Sequence, residues 1–294
     1  MDKKKLLLTG SGGFVGQNLK TFLSKEYCLF APRSFELNLC DSNAVEKYFE
    51  ENNIDFIIHC SSIGGYRTLA DKDTTIEDNL AMVDNLLTFK AENARIILFG
   101  SGAMYEKKRE LKKVQEFEIG NYVPADLYGK SKLLIYEKIK NRRDVTCLNI
   151  FGSYGNGETP NRFPTYAISQ NLNHQPIEIN QNVVFDYLFI EDLCKIIEFF
   201  VKSNPSQNII NVTPTKSISL LEIANIINDI SDFKSEIMIK DESLNFEYTG
   251  DNNRLLKEIE GFEFTSYKKG LKKLFDTLKE KYIKLNIGIY KVGS

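Results

Sequence analysis

Tyr128 and Lys132 stand four residues apart in Asp126-Leu127-Tyr128-Gly129-Lys130-Ser131-Lys132, and a Ser-x-x-x-Tyr stretch, Ser101 to Tyr105, lies upstream. On a helix this spacing puts the phenol and the ammonium on one face. There the positive charge can lower the phenol's pKa from its usual value of about 10 and ready it for proton transfer. Ser101 can donate or accept a hydrogen bond with an oxygen at a reacting carbon, and Tyr128 can pass that oxygen a proton. Such a set serves hydride transfer in either direction.

The elements that must position these groups begin at the N-terminus. Leu6-Leu7-Leu8 reads as a short strand, followed by Thr9-Gly10-Ser11-Gly12-Gly13-Phe14-Val15-Gly16 and a helix opening with Gln17-Asn18-Leu19. Glycines at 10, 13 and 16 suit a strand-to-helix turn whose amides approach a pyrophosphate and whose helix lies close on the sheet. Strand and helix then alternate as a parallel sheet requires. The apolar pattern predicts strands at 5–8, 27–31, 56–59, 96–99, 146–150 and 209–211, with helices near 14–24, 42–51, 75–91, 129–140 and 190–201. In the last third, 218–230 has a helical period, 236–240 reads as a strand and 268–285 as a basic amphipathic helix. The run Lys268-Lys269, Lys272-Lys273 reads as a solvated helix face, and the charged stretch 106–125 as a loop that folds over the cleft or, alternatively, a plain surface excursion.

Composition fits an α/β enzyme with one sizeable core. The chain has 294 residues and a formal net charge of −2, which gives no reason to expect nucleic acid or an anionic membrane as partner. Cys28, Cys40, Cys60, Cys147 and Cys194 are scattered without metal-ligand spacing, so buried free thiols in a reducing cytoplasm and no metal are expected. Met1 to Lys5 is basic, but the run behind it is three leucines long; it reads as a first strand and not as a signal peptide. His59, at a strand end, is expected to be a satisfied core histidine, and His174 an exposed one.

Thr9-Gly10-x-x-Gly13-Phe14-Val15-Gly16, Ile57-Ile58-His59, Ser101-x-x-x-Tyr105 and Tyr128-x-x-x-Lys132 together resemble the extended short-chain dehydrogenase/reductases of the NAD(P)-dependent nucleotide-sugar epimerase/dehydratase family. The likeness continues through Tyr154-Gly155, Phe185 to Asp192 and Asn211-Val212, so it spans nearly the whole chain. Glu36-Leu37-Asn38-Leu39-x-Asp41-Ser42 and Gly64-Gly65 bring the fucose-synthetase-like 4-ketoreductases nearest. The resemblance implies a doubly wound Rossmann-type sheet over about residues 1–160, with returns near 183–212, and a smaller substrate lobe over 161–294. It implies Ser101, Tyr128 and Lys132 as catalytic groups, Lys132 also holding the nicotinamide ribose, and Tyr105 as structural. It adds cofactor contacts at Phe14, Val15, Ser61, Asn38 and Leu39 to those at Gly10, Gly13 and Gly16. A homodimer through the helices at 75–91 and 129–140 is the family habit.

The cofactor form is argued from the end of the second strand. NAD-selective sites place a carboxylate there for the ribose 2′-hydroxyl, whereas an arginine pairs with a 2′-phosphate. This chain has Ala31-Pro32-Arg33-Ser34 and no acid before Glu36, which favours NADP(H) held by Arg33 and Ser34, with NAD(H) the alternative.

Missing groups narrow the reaction. The 4,6-dehydratases follow their Ser/Thr with an Asp-Glu pair, where this chain has Gly102 and Ala103. Members that also epimerise carbons 3 and 5 carry a cysteine at the position of Ala103 and a downstream histidine, absent around Asn161-Arg162-Phe163-Pro164. Asn161 and Arg162 resemble the segment that lies near the substrate diphosphate. Phe185 replaces an arginine of many relatives, Asn149 another, and Gly152 an asparagine; Arg67 is a further candidate for the sugar. The expectation is a cytoplasmic NADPH-dependent reductase acting at C4 of a nucleotide-linked 4-keto-6-deoxy sugar. A 4-epimerase with retained NAD and a non-catalytic dinucleotide sensor stay open.

Overall fold

The computed structural model describes residues 3–65 and 69–291, with side chains to 284. The strand β1 (Lys5–Thr9) forms on Leu6, Leu7 and Leu8, each fully buried, because a central parallel strand is covered on both faces. Its alternation sorts the core into two layers. Leu6 and Leu8 point to one face and Leu7 to the other. Beyond it come α1 (Phe14–Leu23), β2 (Cys28–Phe30), α2 (Ser42–Glu51), β3 (Phe56–His59), α3 (Thr75–Phe89) and β4 (Arg95–Ser101). The Asp41 side chain accepts from the Ala44 N–H and so starts α2. After β5 (Leu111–Val114) follow α4 (Leu127–Ile139) and β6 (Val145–Ile150).

The second half supplies β7 (Ser153–Tyr154), α5 (Phe163–Leu172), β8 (Ile177–Asn182), β9 (Val184–Phe185), β10 (Leu188–Phe189), α6 (Ile190–Lys202) and β11 (Ile209–Val212). It ends with β12 (Ile218–Ser219), α7 (Leu220–Ile230), β13 (Ile237–Leu244), β14 (Tyr248–Gly250), α8 (Asn253–Glu258) and α9 (Tyr267–Lys291). Six parallel strands in the order β2-β1-β3-β4-β6-β11 make the main sheet. Residues of α1 and α6 pack with Leu6 and Leu8, and residues of α2, α3 and α4 with Leu7. This is a doubly wound Rossmann-type sheet. Chain order reverses at β1, so the crevice beyond the carboxyl ends of β1 and β3 is where such a sheet accepts a ligand.

A smaller lobe of helix and strand is appended. In it α5, α7 and α9 pack together, β8 pairs with β13, and a mixed sheet runs β12-β9-β14-β5. Three expectations need correction here. The helix expected from Ile218 starts at Leu220, because Ser219 and Glu222 form a capping box and Ile218–Ser219 pairs with β9 instead. The stretch 106–125 is not a bare loop: Leu111 and Val114 are buried and pair with β14. Cys28 is exposed, since β2 is the edge strand, whereas Cys147 and Cys194 are buried as expected; all five thiols are free. Lys268, Lys269, Lys272 and Lys273 of α9 are exposed, Lys273 pairing with Glu191 and Lys272 with Asp276 across the surface. Among the described residues no helix is long and apolar enough to cross a membrane.

Candidate active site

The glycine turn sits between the end of β1 and α1. Gly10 has φ +69°, and a Cβ there would lie 2.8 Å from the backbone of Cys60 and Ser61, so the turn passes directly over the end of β3. Gly16 is in the first turns of α1, where a Cβ would come 2.1 Å from the Gly10 carbonyl oxygen. Helix and turn are in backbone contact. Gly13 precedes α1 and its own N–H donates to Gly10 O, so the turn folds back before the helix begins. The free amides at the start of α1 therefore face a cleft of about 950 Å³. Its backbone lining and its size fit a dinucleotide.

Gly10, Gly13, Phe14, Val15, Gly16, Arg33, Ser34, Asn38, Leu39 and Ser61 all line this cleft. Arg33 lays its guanidinium over Gly12, where a Cβ would be 2.6 Å from it. The Glu36 carboxylate accepts from the Arg33 backbone N–H at 2.7 Å, so the first acid after β2 is already engaged. Asn38 accepts from the Cys40 N–H, and Leu39 is buried.

A second cleft of about 1060 Å³ adjoins the first, and Tyr128 lines both. Ser101 and Lys132 line the second. Ser101 closes β4, and its hydroxyl accepts from the Ala103 N–H at 3.1 Å, starting a short 3-10 turn. Asp126 caps α4 by accepting from the Gly129 N–H, while the Tyr128 N–H donates to Asp71. The helix start is thus pinned at both sides of the phenol. Lys132 lies one turn on, buried, with Nζ 2.8 Å from the Phe99 carbonyl and 5.5 Å from the Tyr128 ring centre. The helical spacing places the two side chains on one face, as the sequence implied.

The other hydroxyl and imidazole candidates are occupied elsewhere. Tyr105 is buried and donates to Asn211 at 2.7 Å; burial holds its pKa well above the ordinary value, with Glu116 adding to the shift. His59 is buried and its Nδ1 pairs with the Thr9 hydroxyl at 2.8 Å. Burial, with the Lys132 charge behind it, pushes the imidazole down to about 3. It is a neutral core group. His174 is exposed and stacks on Phe233.

Asn161 and Arg162 line both clefts, next to the start of α5. Phe185 forms part of the wall of the second cleft and contacts Tyr187 and Tyr248. Asn149 is fully buried and donates to Asn211, away from both clefts, and Gly152 lines the second. Arg67 lies outside the described residues. One group escaped the sequence reading. Tyr248, on β14, lines the second cleft beside Ser101, and a Cβ at Gly102 would be 2.5 Å from its hydroxyl oxygen. No local motif marks it, because strand pairing brings it from the far end of the chain. Among the described residues no group of three or more His, Cys, Asp or Glu could hold a metal.

A dinucleotide turn at the switch of a parallel sheet, opening on a Tyr-Lys helix, defines a Rossmann-type oxidoreductase. A family profile described as the NAD dependent epimerase/dehydratase family matches residues 6–213, and the chain belongs to that family. It is an NAD(P)-dependent oxidoreductase. The chain is similar to a GDP-L-fucose synthase of Azorhizobium caulinodans, 26% identical over 80% of this chain and 83% of the relative. It is also similar to a GDP-L-colitose synthase of Yersinia pseudotuberculosis, at 24% over 78% and 83%. The fold matches a GDP-mannoheptose C4 reductase of Campylobacter jejuni solved with NADP bound. The TM-score is 0.78 at 18% identity, over 94% of this chain and 98% of the other.

Proposed function

We propose that this chain reduces the C4 keto group of a nucleotide-linked 4-keto-6-deoxy sugar with NADPH, a step toward surface polysaccharide. The observation that carries this reading is the meeting of the two clefts at Tyr128, with Ser101 and Lys132 beside it and Gly102 and Ala103 after the serine. Bound cofactor supplies the hydride. Ser101 donates a hydrogen bond to the carbonyl oxygen and Tyr128 gives it a proton as charge develops. Lys132 holds the nicotinamide ribose and keeps a positive charge near the phenol. Neither glycine nor alanine can move a proton, so the two positions after Ser101 supply no acid or base for the elimination of water or for epimerisation next to the ketone.

Arg33 and Ser34 take the 2′-phosphate of NADPH, since both line the first cleft, whereas Glu36, whose carboxylate accepts from the Arg33 backbone N–H, does not. Asn161 and Arg162 hold the substrate diphosphate where the clefts join. The names of the relatives, two GDP-sugar synthases and a C4 reductase, support a sugar nucleotide. We take residues 1–160, with the returns near 183–212, as the cofactor part and the rest of 161–294 as the substrate part. A homodimer through α3 and α4, which lie side by side and expose Leu134, is the expected assembly. The test is absorbance of NADPH against a panel of nucleotide 4-keto-6-deoxy sugars. At least one should consume it; no loss with any overturns the reading, and stoichiometric NAD+ released on denaturation marks an epimerase in its place.

A further inference from the structure

Cys60, Ser62 and Gly65 line both clefts, so the loop that follows β3 is part of the wall the two share. Two side chains hold it. The buried Asn79 of α3 accepts from the Ile63 N–H and donates to the Ile63 carbonyl, both at 2.9 Å, and also donates to Ser131. Asp71 holds the loop further on, its Oδ1 accepting from the Gly65 N–H at 2.8 Å. Gly64 and Gly65 both have positive φ, +91° and +74°, and each leaves space for a particular group. A Cβ on Gly64 would be 2.7 Å from Asp71 Oδ1, and one on Gly65 would be 3.0 Å from the Tyr128 ring. The phenol ring therefore rests on the Gly65 backbone.

The other oxygen of Asp71 reaches α4, where Oδ2 accepts from the Tyr128 N–H at 2.8 Å. That N–H belongs to the first turn of the helix, where backbone donors have no partner within it, and the Asp126 cap serves the Gly129 N–H instead. A carboxylate suits the place, since the start of a helix favours negative charge. One side chain thus bonds both the backbone of Tyr128 and the backbone under its ring. We propose that Asp71 is a positioning residue, which clips Gly65 to the start of α4 and so fixes the direction in which the Tyr128 hydroxyl points. The hydroxyl is the part of the side chain farthest from the backbone, so a ring that rocks displaces it most. Asn79 cannot substitute, because it grips the loop two residues earlier and leaves Gly65 to Asp71. The inference rests on the reaction proposed above only for the role of Tyr128 as proton donor.

Asp71→Ala removes both bonds, whereas the single carbonyl oxygen of Asp71→Asn can keep one of them. We expect kcat to fall about 20-fold in Asp71→Ala, on the scale of a displaced reacting group. In Asp71→Asn it should fall about 5-fold, the worth of one hydrogen bond. NADPH affinity should stay within about twofold in both, because Asn79 still holds the loop at Ile63. In a Tyr128→Phe background Asp71→Ala should cost about twofold or less, since its effect passes through the phenol. Activity of Asp71→Ala within about twofold of the parent, an equal loss in both backgrounds, or a loss carried by NADPH affinity overturns the proposal. Should Asp71→Ala fail to fold, Asp71→Asn decides by the same criteria. If no sugar nucleotide is turned over, the reaction has been misread, and the positioning is read without substrate. The Tyr128 Cζ resonance of tyrosine-labelled protein, assigned by its loss in Tyr128→Phe, should move more in Asp71→Ala than in Asp71→Asn. Both variants lose the charge, so equal shifts, or none, mean that Asp71 does not set the ring.

Discussion

The two clefts that meet at Tyr128 are built in opposite ways. Most of the cofactor cleft comes from three short contiguous stretches, 9–16, 32–40 and 60–65, each leaving the end of a strand of one parallel sheet. The second cleft, proposed for the substrate, is assembled from residues of β8, β9, β14 and α5 together with Ser101, Tyr128 and Lys132. Six glycines, which bare their backbone, line the first cleft, and three line the second. A backbone wall tolerates little change of shape, because a Cβ added at Gly10 or Gly16 would come within 2.8 or 2.1 Å of main-chain atoms. A side-chain wall can be rewritten one residue at a time, which is how related folds come to act on different substrates.

The sharpest way to separate the two clefts is Tyr128→Phe, since the residue lines both but would do chemistry in only one. The ring stays, including its contact with Gly65, and the proton donor goes. We expect kcat to fall about 10³-fold, within the usual range for loss of a general acid. Cofactor affinity, read by fluorescence titration, should stay within about threefold of the parent. A comparable loss in both quantities would mean that the clefts are not separable at this residue.

The difference in construction also explains what could be read from the sequence. The glycine turn was legible because its contacts are made by neighbours in the chain, and because a positive φ and a close helix leave few residue choices. Tyr128 and Lys132 were legible because a helix converts spacing into a shared face. The pieces of the substrate wall were not. Of its strands β9 is two residues and β14 three, too short for an alternating pattern, and their pairing joins residues far apart. Tyr248 was hidden for that reason, and so was the burial of Leu111 and Val114 within a stretch that is charged overall. Cys28 was misjudged because an apolar run does not say whether its strand will be central or at the edge.

A backbone wall predicts a large penalty for a small addition. Ala is favoured over Gly inside a helix by about 1 kcal/mol, yet Gly16→Ala should destabilise the fold by about 3 kcal/mol, because the Gly10 carbonyl has to move. Gly13→Ala is the control. Its Cβ would meet the same oxygen at 3.5 Å, an ordinary contact, and stability should change by about 0.5 kcal/mol or less. Urea midpoints measure both, and equal effects would remove the distinction drawn between the two glycines.

His59, buried at the end of β3, should make the stability of the fold sensitive to acid. Its folded pKa of about 3 lies below the ordinary 6.5, so between these values the unfolded chain binds a proton that the folded chain refuses. Stability contributed by the neutral imidazole is complete above about pH 6.5 and is lost as pH falls through that window. From pH 7 to 5 the loss should be roughly 2 kcal/mol, at about 1.4 kcal/mol per pH unit below 6.5. His59→Gln should show a smaller loss over the same range. Equal losses would place the acid sensitivity elsewhere.

The smallest effect is expected where the cofactor cleft is least like a backbone wall. Arg33 and Ser34 are exposed side chains at the end that the proposed reading gives to the adenosine, and Arg33 lies over Gly12 of the turn. Arg33→Ala leaves the turn, the helix and the Tyr-Lys pair as they were, so turnover at saturating NADPH should not change. What changes is the charge facing a 2′-phosphate. The preference for NADPH over NADH, measured as the ratio of kcat/KM values, should fall about 10-fold, the share of one charged hydrogen bond in a solvent-accessible position. A ratio that stays within about twofold would reduce Arg33 to a cover for Gly12 and move the choice of cofactor to other residues of the same wall. Backbone contacts at the turn would then bind the pyrophosphate common to both cofactors without distinguishing them.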